Sequence, residues 1–141
     1  MKGGELHTVP ICLGMILADF VWKDPMSGKR TILGTFDTIC SSHFPCVYQT
    51  LAVYCLLTGG RGKLPLVLRL ADAADPNEEP LFAATQEFEV HDPRGVFEAV
   101  FGIQNAVFPR EGEYRFQLRC GGEVVMERRL VVHKPGNRPG A

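Results

Sequence analysis

The sequence predicts an all-β fold: an antiparallel β-sandwich of about seven or eight strands, immunoglobulin-like or related in topology. Three observations predict it. Apolar and polar side chains alternate through most segments, most clearly from Gly112 to His133, and a period of two marks half-buried strands. Clusters of Gly, Pro, Asp and Ser punctuate the chain at short intervals, as they do between sandwich strands. No long amphipathic helix alternates with the strands, which disfavours a parallel α/β sheet.

The elements follow in order. Residues 1–9 are expected to be a flexible N-terminus, 10–133 a single β-sandwich domain, and 134–141, with two Pro and two Gly, a disordered tail. Ile11 to Lys23 carries apolar residues on both parities until Asp19, which predicts a strand buried on both faces and suits a dimer interface. Asp24 to Lys29 is a turn and Thr31 to Cys40 its partner strand. Ser41 to Pro45 breaks the pattern. Val47, Leu51, Val53, Cys55 and Leu57 then share one parity, Thr58 to Lys63 reads as a hairpin tip, and Leu64, Leu66, Leu68 and Leu70 face inward. After the acidic loop Asp72 to Pro80, Phe82, Ala84, Gln86, Phe88 and Val90 form another inward face. His91 to Gly95 turns the chain. Val96 to Phe108 suits either a strand or one helical face, and periodicity leaves both open.

The last hairpin invites a register. A two-residue Gly121-Gly122 loop sets Phe116 opposite Glu127, whereas a three-residue loop of Cys120, Gly121 and Gly122 sets it opposite Met126 and Leu118 opposite Val124. The pattern therefore predicts the longer loop, with a bulge and a left-handed Gly122. Arg128 is out of phase, and a strand edge with its head in water is expected for it.

Three stretches carry a resemblance. Asp24-Pro-x-Ser-Gly-Lys-x-Thr-Ile-Leu-Gly-Thr-Phe-Asp37, Phe44-Pro45, and Phe108-Pro-x-x-Gly-x-Tyr-x-Phe-x-Leu118 followed by Gly122-Glu123 resemble a bacterial all-β domain family of unknown function. The resemblance spans roughly residues 10 to 133 and implies a fold without implying catalytic residues. Gly112-x-Tyr114-x-Phe116 also recurs in immunoglobulin-like sandwiches, where such a Tyr anchors a corner by bonding upstream backbone.

Composition narrows the function classes. The 141 residues, 45% hydrophobic, suffice for one domain with a core. A net charge of -1 and no basic run longer than two residues give no footprint for nucleic acid or an anionic membrane surface. Pro10 and Asp19 interrupt the apolar run from Val9 to Trp22, and a spanning helix needs about 20 apolar residues. Five scattered cysteines form no disulfide framework, which fits a cytoplasmic protein.

Candidate chemistry is sparse. Cys40, His43 and Cys46 offer three soft ligands or a thiol beside a base, but lack a local fourth ligand and a group to orient the His. Asp72, Asp75, Asn77 and Glu79 lie on one loop, as a calcium site would require, yet match no EF-hand spacing. Gly59 to Lys63 fails the phosphate-loop pattern, because Leu64 stands where Ser or Thr is needed. Asp19 and Asp37 are set in apolar strands and must be paired, hydrogen-bonded or wet. Trp22, near a strand end, suits a ligand or partner.

These features predict a non-catalytic binding or assembly module without cofactor, with a protein partner or a second copy as its target. The alternative is a small metal-dependent or hydrolytic enzyme using Asp19, Asp37 and the Cys40-His43-Cys46 loop.

Overall fold

The computed structural model describes residues 9–75 and 79–137. Among them the chain forms nine strands and no helix: β1 (Pro10–Lys23), β2 (Arg30–Thr35), β3 (Thr38–Cys40), β4 (Cys46–Gly59), β5 (Gly62–Asp72), β6 (Phe82–Val90), β7 (Val96–Phe108), β8 (Gly112–Cys120) and β9 (Glu123–His133). They build a four-stranded sheet in the order β2-β1-β4-β7 and a five-stranded, curled sheet in the order β3-β9-β8-β5-β6. The expected flexible N-terminus, Val9 excepted, and residues 138–141 of the tail lie outside the described residues. Lys134 and Asn137 are held by the Glu111 carboxylate, which accepts from the Lys134 N–H at 2.7 Å and from Asn137 Nδ2 at 3.1 Å.

Several sequence expectations are revised. The strand expected over Thr31 to Cys40 divides at Phe36 and Asp37: β2 stays in the first sheet, and β3 crosses to the second. There β3 pairs with β9 in parallel, so the fold is not wholly antiparallel. The open segment Val96–Phe108 is a strand, burying Ala99, Phe101 and Ile103 in alternation. The glycine-rich stretch after Thr58 is not a hairpin tip, because β4 and β5 belong to different sheets. Gly59, Gly60 and Gly62 all have φ between 75° and 83°, a region Gly enters without steric cost, and they hand the chain from sheet to sheet across two residues.

Near its start strand β1 is not buried on both faces, although further along adjacent Leu17 and Ala18 are both buried. Its register with β4 shifts between Cys12 and Gly14, making Leu13 an extra, bulged residue. The bulge switches the inward parity from Cys12 to Met15 and Leu17, and leaves Ile11 and Leu13 63% and 53% exposed on the outside. A second switch lies where Gln49 and Asn105 fail to pair, with Asn105 at φ 54°. Beyond it Cys46 and Phe108 are buried, while Val47, expected inward, is exposed.

The closing hairpin also departs from its expected register. Gly121 and Gly122 form a two-residue loop, both with positive φ, the geometry whose twist matches the flanking strands. The bulge sits further in, between Leu118 and Arg119, with Val125 as the extra residue. Leu118 therefore faces Met126, Phe116 faces Arg128, and Val124 joins the wet face opposite Arg119. This places Arg128 on the inward parity instead of at a water-facing edge.

Both sheets feed one buried cluster, with Leu17, Leu51, Leu57 and Phe101 from the first and Leu66, Leu68, Phe116 and Leu118 from the second. Full burial of such a side chain contributes roughly 1.5–3 kcal/mol. Two polar side chains bridge the open sides between the sheets. Gln86 Nε2 on β6 donates to the Val100 carbonyl on β7 at 2.6 Å, and Arg128 Nη1 on β9 donates to the Met15 carbonyl on β1 at 2.5 Å.

Candidate functional site

The β1–β2 hairpin carries Asp19 and Trp22, and Asp37 follows at its base. Its tip is set by Asp24, whose carboxylate accepts from the Met26 N–H at 3.2 Å, the Ser27 N–H at 3.3 Å and Ser27 Oγ at 2.6 Å. Those bonds, the Ser27 hydroxyl first, hold the Asp24 carboxyl below its ordinary range. Gly28, at φ 75°, closes the turn with its N–H on the Asp24 carbonyl. The Asp-Pro-x-Ser-Gly-Lys stretch thus encodes a turn. On one side of the hairpin Phe20 stands opposite Leu33 with Trp22 two residues on, and all three are about half exposed at 48%, 50% and 47%. Met26 projects fully at the tip.

Polar contacts anchor the hairpin to the rest of the sheet. The Tyr48 hydroxyl donates to the Asp19 carboxylate, and the Phe36 ring lies 5.1 Å from that of Tyr48. A Cβ on Gly34, at φ 70°, would collide with the same carboxylate, so Gly at this position makes room for it. Burial, then the bond to Asp19, pushes the Tyr48 phenol up to about 12. Arg30 Nε meets Glu98 at 3.0 Å, and Tyr54 donates to the other oxygen of Glu98 at 2.5 Å. Burial and Glu98 likewise raise Tyr54 to about 12. Arg30 and Glu98 lie on opposite edge strands, which a flat sheet holds about 14 Å apart at three strand spacings. The sheet is therefore coiled, and the hairpin folds back across it.

Asp37 is exposed at the base of the hairpin, where the chain leaves β2 for β3. Its carbonyl accepts from the Val131 N–H at 3.3 Å, and its side chain lines an open cleft of about 450 Å³ with Ile16, Leu17, Thr35, Phe36 and Arg128. Asp19 and Asp37 therefore have separate surroundings: one is bonded to Tyr48, the other faces the cleft.

The remaining candidates are dispersed or engaged. Cys40 is exposed at the end of β3, His43 is exposed in the following loop, and Cys46 is buried at the start of β4. Asp72 pairs with Arg110 at 2.5 Å and accepts from the Ala74 N–H at 2.9 Å, Asp75 and Glu79 are exposed, and Asn77 lies outside the described residues. Among the described residues no three His, Cys, Asp or Glu side chains gather as a metal set. All five cysteines are free and four are buried. Cys12 Sγ donates to the Gly14 carbonyl at 3.3 Å, and its interaction with the neighbouring Cys55 thiol holds Cys12 below the ordinary thiol range while that interaction and burial push Cys55 above it.

The model for a family of unknown function, DUF6941, matches residues 13–133, which is nearly the whole described fold. The chain belongs to DUF6941. No curated protein matches it. For this DUF6941 chain the matched span runs from the bulge of β1 to the end of β9 and includes the hairpin, the cleft and both bridged sides. Among the described residues no helix is long and apolar enough to cross a membrane. Sequence reading missed Glu98 and the roles of Tyr48 and Arg128. Arg128 left a signal, since it alone broke the alternation of the last hairpin.

Proposed function

We propose that this chain is a non-catalytic β-sandwich module that assembles with a protein surface, in the first instance a second copy of itself, through the apolar side of the β1–β2 hairpin. The observation that carries the reading is the trio Phe20, Trp22 and Leu33, half exposed on one side of a hairpin whose turn is fixed by Asp24. Large adjoining apolar side chains on a rigid element mark interaction surfaces, and Trp is enriched where binding energy concentrates. Exposed Ile11 and Leu13 extend the apolar character along β1. Two sheets around one core support a sandwich, and Tyr114, bonding the Arg110 carbonyl, supports kinship with immunoglobulin-like corners. Free thiols favour a reducing, cytoplasmic setting, and the near-neutral charge disfavours nucleic acid.

Trp22 is the only Trp, so its fluorescence reports on this surface alone. Sedimentation equilibrium from micromolar to millimolar protein is expected to show a dimer, with acrylamide quenching of Trp22 falling as the dimer forms. Trp22→Ser is expected to weaken association by about tenfold or more, as for a residue at an interface centre. A strictly monomeric chain with constant quenching would rule the reading out.

A further inference from the structure

Arg128 stands on the inward parity of β9, opposite buried Phe116, and is itself partly buried. A guanidinium has five N–H donors and loses solvation when drawn toward a core, so each donor needs an acceptor or access to water. Among the described residues one bond is made, from Nη1 to the Met15 carbonyl. No side-chain nitrogen in the described residues is both buried and without a partner. The remaining donors of Arg128 are therefore reachable by solvent, and the residue lines the open cleft described above.

Exposed Asp37 lines the same cleft, its carboxylate has neither hydrogen bond nor ion pair among the described residues, and no ion pair joins it to Arg128. Ile16 and Phe36, each partly exposed, supply an apolar wall with fully buried Leu17 behind it, and exposed Thr35 lies beside them. A cleft of about 450 Å³ with an apolar lining and a few polar groups has the anatomy of a small-molecule site. Here the two charged groups are of opposite sign.

We infer that this cleft binds a small zwitterionic carboxylate with an apolar body, of the amino-acid class. Arg128 takes the carboxylate through its free donors, Asp37 takes the ammonium, and the apolar wall covers the side chain. A guanidinium fork matches a carboxylate in plane, which an ammonium does not, so the side chain fits the task better than Lys would. The site is separate from the apolar side of the hairpin, and binding here does not depend on assembly there.

The test uses the full chain with two probes, L-phenylalanine and 3-phenylpropionate, the second lacking the ammonium. Heteronuclear NMR titration is expected to shift the backbone signals of Thr35 to Asp37 and Arg128, with L-phenylalanine about tenfold tighter, one charge-assisted hydrogen bond being worth that much. Asp37→Asn is expected to bring the two probes to within about threefold, and Arg128→Gln to abolish both responses by removing the cation. Arg128→Lys, which keeps a donor for the Met15 carbonyl, guards against a folding defect; it is expected to retain the wild-type spectrum and weaken both probes. Absence of any response to L-phenylalanine at about 50 mM, weaker than the affinity typical of small polar ligands, would overturn the assignment. Equal binding by wild type and Arg128→Gln, or no preference between the probes in wild type, would overturn it too.

Discussion

At the scale of single residues, the three tyrosine hydroxyls each fix a piece of the fold: Tyr48 and Tyr54 bond carboxylates remote in sequence, and Tyr114 secures its own turn. Tyr114 is fully buried, its hydroxyl donates to the Arg110 carbonyl at 2.5 Å, and its ring meets Phe108 edge-on at 5.0 Å. Tyr114→Phe keeps the ring contact and removes the bond, and should lower stability by about 1–2 kcal/mol in urea unfolding. All three phenols are raised above their ordinary value of 10.0, by burial first, and Tyr48 and Tyr54 reach about 12. The folded state then keeps protons that the unfolded chain releases near pH 10, so this contribution is whole below pH 10 and fades as pH rises toward about 12. Phenolate absorbance at 295 nm should accordingly stay low in the native protein until well above pH 10 and rise near pH 10 in urea. Coincident titration curves would contradict the bonded placement of these hydroxyls.

At the scale of elements, the hairpins show how turn chemistry and packing parity are reconciled. Gly121 and Gly122 take the paired positive φ of a tight two-residue loop, and the bulge at Val125 absorbs the mismatch that such a loop creates. Asn tolerates this conformation, and space is open around a Cβ at residue 121. Gly121→Asn should therefore raise stability by about 0.4–1 kcal/mol through a less flexible unfolded chain, read from the denaturation midpoint. The same hairpin marks what alternation can and cannot reveal. Period-two patterning located β5, β6 and β8 and their inward residues, because those strands run without interruption. It misplaced Val47, Val124 and the outward half of β1, because one bulged or unpaired residue moves every later side chain to the other face. It also cannot say which sheet a strand joins, which is why the β4–β5 link read as a hairpin. Asp19, Asp37 and Trp22 were recognisable as polar or large residues in awkward settings. Arg128 was legible only as a defect in phase, since its role depends on β1, which is remote in sequence.

At the scale of the whole molecule, one buried cluster spans both sheets; Gln86 joins the edge strands β6 and β7, and Arg128 ties the interior strands β9 and β1. Unpaired edges are templates for unwanted pairing, and a side chain occupying an edge carbonyl makes that template less available. A shared core also argues against independent melting of either sheet. Urea unfolding followed by Trp22 fluorescence and by far-ultraviolet circular dichroism should give one coincident transition. An earlier fluorescence change would mean that the hairpin opens separately from the core.

The parallel pairing of β3 with β9 has a consequence for how the protein is made. Cys40 leaves the ribosome early, yet its partner His133 is among the last residues of the fold to be synthesised. Strand β9 also sits inside its sheet, between β3 and β8, so that sheet cannot close around a nascent chain that lacks it. Pairings this remote in sequence carry a large chain-closure entropy and form slowly. During translation the early strands must wait with apolar surface uncovered until β9 has been made.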